Sequence, residues 1–150
     1  MRRFLRLSGA RRRLLLRAFP LVALVRAALW LLPFKLVARL VRRLQAPGNA
    51  ARRDPPSDIA WAIRAASRRV PAATCLTQAF AGSVLLSRAG HRHALRIGVR
   101  RHPERGFEAH AWVEHEGEII LGQTEDLSHF VPLMSFPDFP DKSPTKGAQR

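Results

Sequence analysis

The period of the hydrophobic pattern changes near His91, which divides the chain into a helical part and a strand part. Up to Gly90, apolar residues recur every three or four positions, as they do on the buried face of a helix. One helix is predicted from a cap at Ser57 to about Arg69. Its buried stripe consists of Ile59, Ala62, Ile63 and Ala66. A second helix is predicted to follow the loop Val70–Thr74 and to end at Gly90.

Beyond residue 91, apolar and polar side chains alternate, which is typical of a strand with one buried face. A first strand is predicted around Leu95–Val99 and a second at 107–115. A hairpin turn at Glu116-Gly117 then leads to a third strand at 118–121. The sequence therefore predicts an α+β fold in which helices pack on a small antiparallel sheet.

The last strand of the sheet and the environment of three histidines are predicted from local composition and spacing. A final short strand is expected from a group of apolar residues, namely Leu127, Phe130, Val131 and Leu133. His91, His93 and His102 fall at a strand entrance and in a turn, without the spacing of metal ligands, and are predicted to be solvated. Residues 134–150 are rich in proline and charge and are predicted to be a disordered tail.

Residues 1–46 form a basic, apolar arm that is predicted to be helical, and residues 47–57 have the composition of a linker before a core at 58–133. Pro20 and Pro33 fit first-turn positions, so that the arm is predicted to contain two or three helices. Its uncharged runs are shorter than the roughly 20 apolar residues that cross a bilayer. No spanning helix is therefore expected.

Charge is concentrated in the arm, because residues 1–53 contain 14 arginines and lysines and no carboxylate. Three interpretations are open: a helical layer with solvated arginines, a surface for a membrane or a partner protein, or a nucleic-acid site. Nucleic acid is not expected, because leucine and alanine separate the basic residues where stacking aromatics would be needed. A single cysteine excludes an internal disulfide and favours a cytoplasmic location, with peripheral contact at the inner face of the membrane as an option.

Cys75 is the chain's only cysteine, and it is predicted to lie in the first turn of its helix. Pro71 disfavours helix at Val70, and Thr74 is a suitable N-cap. At this position the helix dipole and unpaired backbone N–H groups favour a thiolate and can bind an oxyanion. The alternative is that Cys75 is a small buried hydrophobic residue.

His110 lies on the predicted strand 107–115 and is the candidate general base for Cys75. Alone, it could equally be a structural histidine. A third group should orient the imidazole, and pairing around the turn places Gln123 opposite His110. Glu125 and Asp126 follow closely, and a longer turn or a bulge would bring either into range. The third member is thus Gln123 or, alternatively, Asp126 or Glu125.

An ordered set of motifs resembles the transglutaminase-like leader peptidases of lasso-peptide maturation, in particular the stand-alone type without a fused precursor-binding domain. The resemblance covers about residues 55–133. The motifs are Trp61-Ala-Ile, Val70-Pro, Cys75-Leu-Thr-Gln-Ala79, Leu95-Arg-Ile-Gly-Val99, His110-Ala-Trp-Val-Glu114, Gly117 and Phe130-Val-Pro-Leu133. It implies a papain-like core, a Cys75 nucleophile and a His110 base. The family's triad aspartate would lie on the strand after the histidine, where this chain has Leu121-Gly-Gln-Thr124.

The resemblance also implies a reaction and partners. The expected activity is cysteine-protease cleavage of a ribosomally made precursor peptide between leader and core, without cofactor or metal. The expected partners are that precursor, a separate leader-binding protein and an asparagine-synthetase-like cyclase. A transferase that uses an amine in place of water is one alternative. A non-catalytic transglutaminase-like adaptor, docking a maturation complex or a membrane surface, is the other.

Overall fold

The computed structural model describes residues 8–45, 54–102, 106–124 and 127–137, and its elements follow the predicted order. Helices come first, and strands follow. The helices are α1 (Gly9–Leu31), α2 (Phe34–Leu44), α3 (Pro56–Ser67) and α4 (Cys75–Arg88). The strands are β1 (Ala94–His102), β2 (Gly106–His115), β3 (Glu118–Leu121) and β4 (Val131–Pro137), with a short 3₁₀ helix at Leu127–His129.

The four strands form one antiparallel sheet in the order β3-β2-β1-β4. Glu116 and Gly117 join β2 to β3 with positive φ angles of 50° and 85°, which is the geometry of a two-residue type I′ hairpin turn. Ala111, Val113 and Leu121 lie on the face that joins the helical core. The predicted α+β class, with helices packed on a small antiparallel sheet, is confirmed.

Helix α4 is fixed at both ends by its own sequence. Thr74 caps the N-terminus. At the other end the N–H of Gly90 donates to Ser87 O and that of His91 to Leu86 O, with Gly90 at a φ of 77°. This pair of bonds is a Schellman motif, for which glycine fits the left-handed position. The capped ends therefore fix the backbone position of the first residue of the helix, Cys75.

Helix α3 buries its predicted stripe but begins differently from the prediction. Ile59, Ala62, Ile63 and Ala66 are all buried. The N-cap, however, is Pro55 and not Ser57, and no side chain caps the helix. Pro56 occupies the first turn, where its missing N–H costs nothing. The predicted cap at Ser57 is therefore wrong.

Helix α1 runs through Pro20 without a break, so the prediction that this proline starts a helix is wrong. Packing of α1 against α3 and α4 offsets the loss of the Pro20 N–H. The uninterrupted helix is long and apolar enough to cross a membrane by length and composition, contrary to expectation. Core helices pass the same test, and Leu14, Ala18 and Val22 are buried in the core.

A chain of buried polar groups joins α2, α4 and the start of β1. Gln45 Nε2 donates to Ser83 Oγ, and Ser83 Oγ lies 2.6 Å from His93 Nε2. His93 Nδ1 lies 3.0 Å from His91 O. His93 is thus buried, and its predicted solvation is wrong, because periodicity alone does not reveal a polar partner inside the core.

Two predicted boundaries shift, and some predictions fall outside the described residues. Strand β4 continues to Pro137, so residues 134–137 are strand and not tail. Residues 56 and 57, predicted in the linker, belong to α3. The rest of the predicted tail, at 138–150, and linker residues 47–53 lie outside the described residues.

Candidate active site

Cys75 is the first residue of α4, as predicted, and a reciprocal cap fixes its backbone. The N–H of Thr77 donates to Thr74 Oγ1 at 3.4 Å, and the N–H of Thr74 donates to Thr77 Oγ1 at 3.3 Å. This capping box leaves the backbone N–H groups of Cys75 and Leu76 without a hydrogen-bond partner among the described residues. Two donors thus lie next to the thiol, where an oxyanion would form.

The loop before Cys75 is a tight turn in an unusual conformation. The N–H of Ala73 donates to Val70 O at 3.3 Å, and Ala72 between them has a φ of 54°. A non-glycine residue rarely adopts a positive φ, so this turn carries local strain. Pro71 in the same turn fixes the approach of the chain to the helix. The thiol of Cys75 itself is half-buried and free.

His110 lies on β2, and one ring nitrogen has a defined partner. Its Nε2 is 2.7 Å from Gly122 O. A carbonyl oxygen only accepts, so Nε2 carries the proton and Nδ1 carries the lone pair. Nδ1 makes no hydrogen bond to any residue that the structure describes. The ring is therefore held in the tautomer that offers Nδ1 as a base.

Aromatic rings pack around the imidazole. The ring of Trp112, two residues along the same strand face, is nearly parallel to it at a centroid distance of 6.3 Å. The ring of Phe130 lies 5.4 Å from it. Opposite His110 on β1 is Gly98, where a Cβ would lie 2.9 Å from the Trp112 ring. Gly98 thus leaves the space in which Trp112 supports His110.

Two ion pairs border this strand face. Arg96 Nε is 2.7 Å from Glu114 Oε2, and Glu114 Oε1 accepts from Trp112 Nε1 at 2.8 Å. Arg100 Nε is 2.7 Å from Glu108 Oε2, and its guanidinium lies 4.8 Å from the centre of the Phe130 ring. The aromatic side chains beside His110 are therefore fixed by polar contacts at both ends of the row.

Among the described residues, a backbone carbonyl and not the Gln123 side chain contacts the His110 ring. The strand register follows the prediction at His115↔Glu118 and Glu114↔Ile119, then shifts by one at Val113↔Leu121 through a bulge. The carbonyl of Gly122 consequently meets the ring. The side chain of Gln123 is exposed and makes no hydrogen bond among the described residues. Glu125 and Asp126 lie outside them.

Gly122 is a functional candidate that the sequence reasoning missed. Its φ is 76°, and a Cβ would lie 2.4 Å from Ala111 O and 2.8 Å from Trp112 Cα. Only glycine fits this approach of one strand to the next. The available signal was a glycine directly after an apolar strand. The predicted register, however, placed the neighbouring Gln123 opposite His110.

The structure positions Cys75 and His110 separately and does not join them by a hydrogen bond. Among the described residues, the Cys75 thiol has no hydrogen-bond partner, and the only one of His110 is Gly122. Sequence reasoning predicted the environment of each residue, while their pairing stays a prediction. Within the described ranges no group of three or more His, Cys, Asp or Glu could hold a metal ion.

A cysteine in the first turn of a core helix, followed by a histidine on an antiparallel strand, places the protein among cysteine-dependent acyl-transfer folds. The family model of the transglutaminase-like superfamily matches residues 18–135. The chain belongs to this superfamily, whose domains are typically cysteine peptidase-like. No curated protein and no solved structure matches the chain.

Proposed function

We propose that the protein is a cysteine peptidase that removes the leader from a ribosomally synthesised lasso-peptide precursor. The observation that carries the proposal is the tautomer of His110, because donation from Nε2 to Gly122 O leaves Nδ1 as a base. Support also comes from the superfamily, from the two free N–H groups beside Cys75, and from the resemblance of the motifs to stand-alone leader peptidases. A separate leader-binding protein presents the precursor, and an asparagine-synthetase-like cyclase uses the freed core peptide.

The reaction proceeds in two steps. His110 Nδ1 takes the proton of the Cys75 thiol, the resulting thiolate attacks the scissile carbonyl, and the N–H groups of Cys75 and Leu76 bind the oxyanion. The C–S bond forms, the C–N bond breaks, and His110 gives its proton to the leaving amine. His110 then takes a proton from water, which attacks the thioester and releases the carboxylate and the thiolate. The ring must reach the sulfur when the precursor binds, as catalytic hydrogen bonds often tighten only in the substrate complex.

The test combines the purified full chain with precursor and leader-binding protein, and follows the products by mass spectrometry. We expect two fragments whose masses sum to that of the precursor plus one water. Cys75→Ala and His110→Gln should abolish cleavage. His115→Gln, on the same strand and bonded through Nδ1 to Arg92 O, is the matched control and should cleave normally. Intact precursor with the unchanged chain would reject the proposal, and a product joined to an amine would indicate a transferase.

A non-catalytic adaptor is the second candidate, favoured by the missing hydrogen bond between the Cys75 thiol and the His110 ring among the described residues. It predicts that Cys75→Ala leaves peptide maturation intact. Alkylation of Cys75 separates the two functions without measuring cleavage. If His110 activates the thiol in the presence of precursor, His110→Gln should slow the reaction of Cys75 with iodoacetamide, and His115→Gln should not. Equal rates in all three proteins favour the adaptor.

A further inference from the structure

Helix α1 has two apolar faces, and only one of them is covered. Leu14, Ala18, Val22 and Val25 are buried against the rest of the fold. The opposite face exposes large apolar side chains. These residues, called here the apolar stripe, are Leu16, Phe19, Leu24, Trp30 and Leu31. A surface helix of a globular protein normally carries polar residues there, so this face requires a partner.

The apolar stripe is long and almost free of charge. Leu24 is 63% and Trp30 is 79% exposed. From Leu16 to Leu31 the stripe extends about 22 Å at 1.5 Å per residue. Between Phe19 and Leu31 the only charged residue is Arg26, which is half-buried and lies to the side of the stripe. The stripe thus offers a continuous apolar surface along more than four turns of helix.

Basic residues lie before and after the stripe. Exposed cations lie at its start in α1 and follow it in α2, namely Arg12, Arg13, Arg17, Lys35, Arg39, Arg42 and Arg43. None of these side chains forms an ion pair with another described residue. Residues 1–53 contain 14 basic residues and no acidic one. The partner should therefore combine an apolar interior with a negative surface.

A bilayer with anionic headgroups has this chemistry, and a second copy of the chain does not, because two arms of 12 positive charges would repel. The orientation follows from the covered face. Although α1 is long enough to cross a membrane, crossing would remove Leu14, Ala18 and Val22 from the core. The helix should instead lie flat, with Trp30 at headgroup depth.

We propose that the apolar stripe and the basic residues of α1 and α2 bind the surface of an anionic lipid bilayer. The binding is independent of the reaction at Cys75. In the bound state the stripe enters the boundary between headgroups and acyl chains, and the arginines contact lipid phosphates. The maturation reaction would then take place at the membrane surface.

The experiment measures co-sedimentation of the full chain with vesicles of phosphatidylcholine, with and without phosphatidylglycerol. We expect binding to the mixed vesicles, much weaker binding to phosphatidylcholine alone, and a blue shift of tryptophan fluorescence that Trp30→Phe abolishes. Trp30→Ser should weaken binding, whereas Phe107→Ser, at the same 79% exposure on β2, should not. The double variant Arg42→Gln, Arg43→Gln should reduce affinity for the mixed vesicles about 30-fold. Each arginine near an anionic surface contributes about 1 kcal/mol, and about 1.4 kcal/mol corresponds to a tenfold change in affinity.

The matched control for charge is Arg68→Gln with Arg101→Gln, which removes two exposed arginines outside the arm. It should lower binding far less than the pair in α2. Equal losses in the two double variants would overturn the proposal, since binding would then follow net charge alone. Absence of binding to mixed vesicles would also overturn it. So would a stable dimer of the unchanged chain that Trp30→Ser dissociates, because the stripe would then bind a second copy.

Discussion

At the scale of single residues, the described contact that orients the His110 ring comes from a carbonyl group. His110 requires an acceptor at Nε2 to keep Nδ1 unprotonated, and Gly122 O supplies it at 2.7 Å. A neutral carbonyl fixes the tautomer as a carboxylate would, but it stabilises the imidazolium less than a negative charge does. Gly122 O therefore fixes the direction of the ring through a weaker contact than a carboxylate would make.

Gly122→Ala should lower cleavage of the precursor about 100-fold per folded molecule, because a Cβ would displace the carbonyl and with it the ring. Gly117→Ala is the matched control. Gly117 also has a positive φ, of 85°, but a Cβ there meets nothing within 4 Å. It should cost about 1–2 kcal/mol of stability without changing the rate of the folded protein. Rates are measured by mass spectrometry and folding by circular dichroism. Full activity of Gly122→Ala would show that the carbonyl has no positioning role.

At the scale of elements, strand alternation and the two ends of α4 were predictable because they depend on neighbours in sequence. The faces of β2, the cap at Thr74 and the stop at Gly90 all follow from local rules. The bulge opposite Val113 and the partner of His93 depend on contacts between distant segments, and the sequence pattern carries no signal for them. The positions of Cys75 on a helix start and of His110 on a strand were thus predictable, whereas the contact of the His110 ring with Gly122 O was not.

Ser83 links two elements to α4, and Ser83→Ala should destabilise the fold by about 1–3 kcal/mol. The half-buried Gln45 amide and the buried His93 Nε2 would each lose this partner. Ser67→Ala is the control, because Ser67 Oγ is buried with no partner among the described residues. Its removal should be neutral or stabilising. Urea unfolding measures both, and equal effects would show that the polar chain between α2, α4 and β1 contributes nothing.

At the scale of the whole molecule, the arm and the core share one interior, although composition suggested a boundary near residue 47. Leu14 and Val22 of α1 belong to the same buried cluster as Phe80 of α4 and Val113 of β2. The superfamily match, at 18–135, likewise begins inside α1. The boundary was inferred from the change in charge along the chain. Charge alone does not show that the opposite face of a basic helix is buried in the core.

Leu14→Ala should therefore destabilise the whole protein by about 2–5 kcal/mol, as expected for a leucine in a shared core. Leu16→Ala makes the same chemical change two residues along, on the exposed face, and should alter stability by less than about 0.5 kcal/mol. In a Trp30→Phe background, where the remaining tryptophans are Trp61 and buried Trp112 of the core, the helical signal at 222 nm and the fluorescence should follow one common urea transition, which shifts in Leu14→Ala only. If Leu14→Ala melted α1 while the fluorescence transition stayed in place, the arm would be a separate unit. Since α1 covers α3 and α4 directly, we expect the two signals to move together.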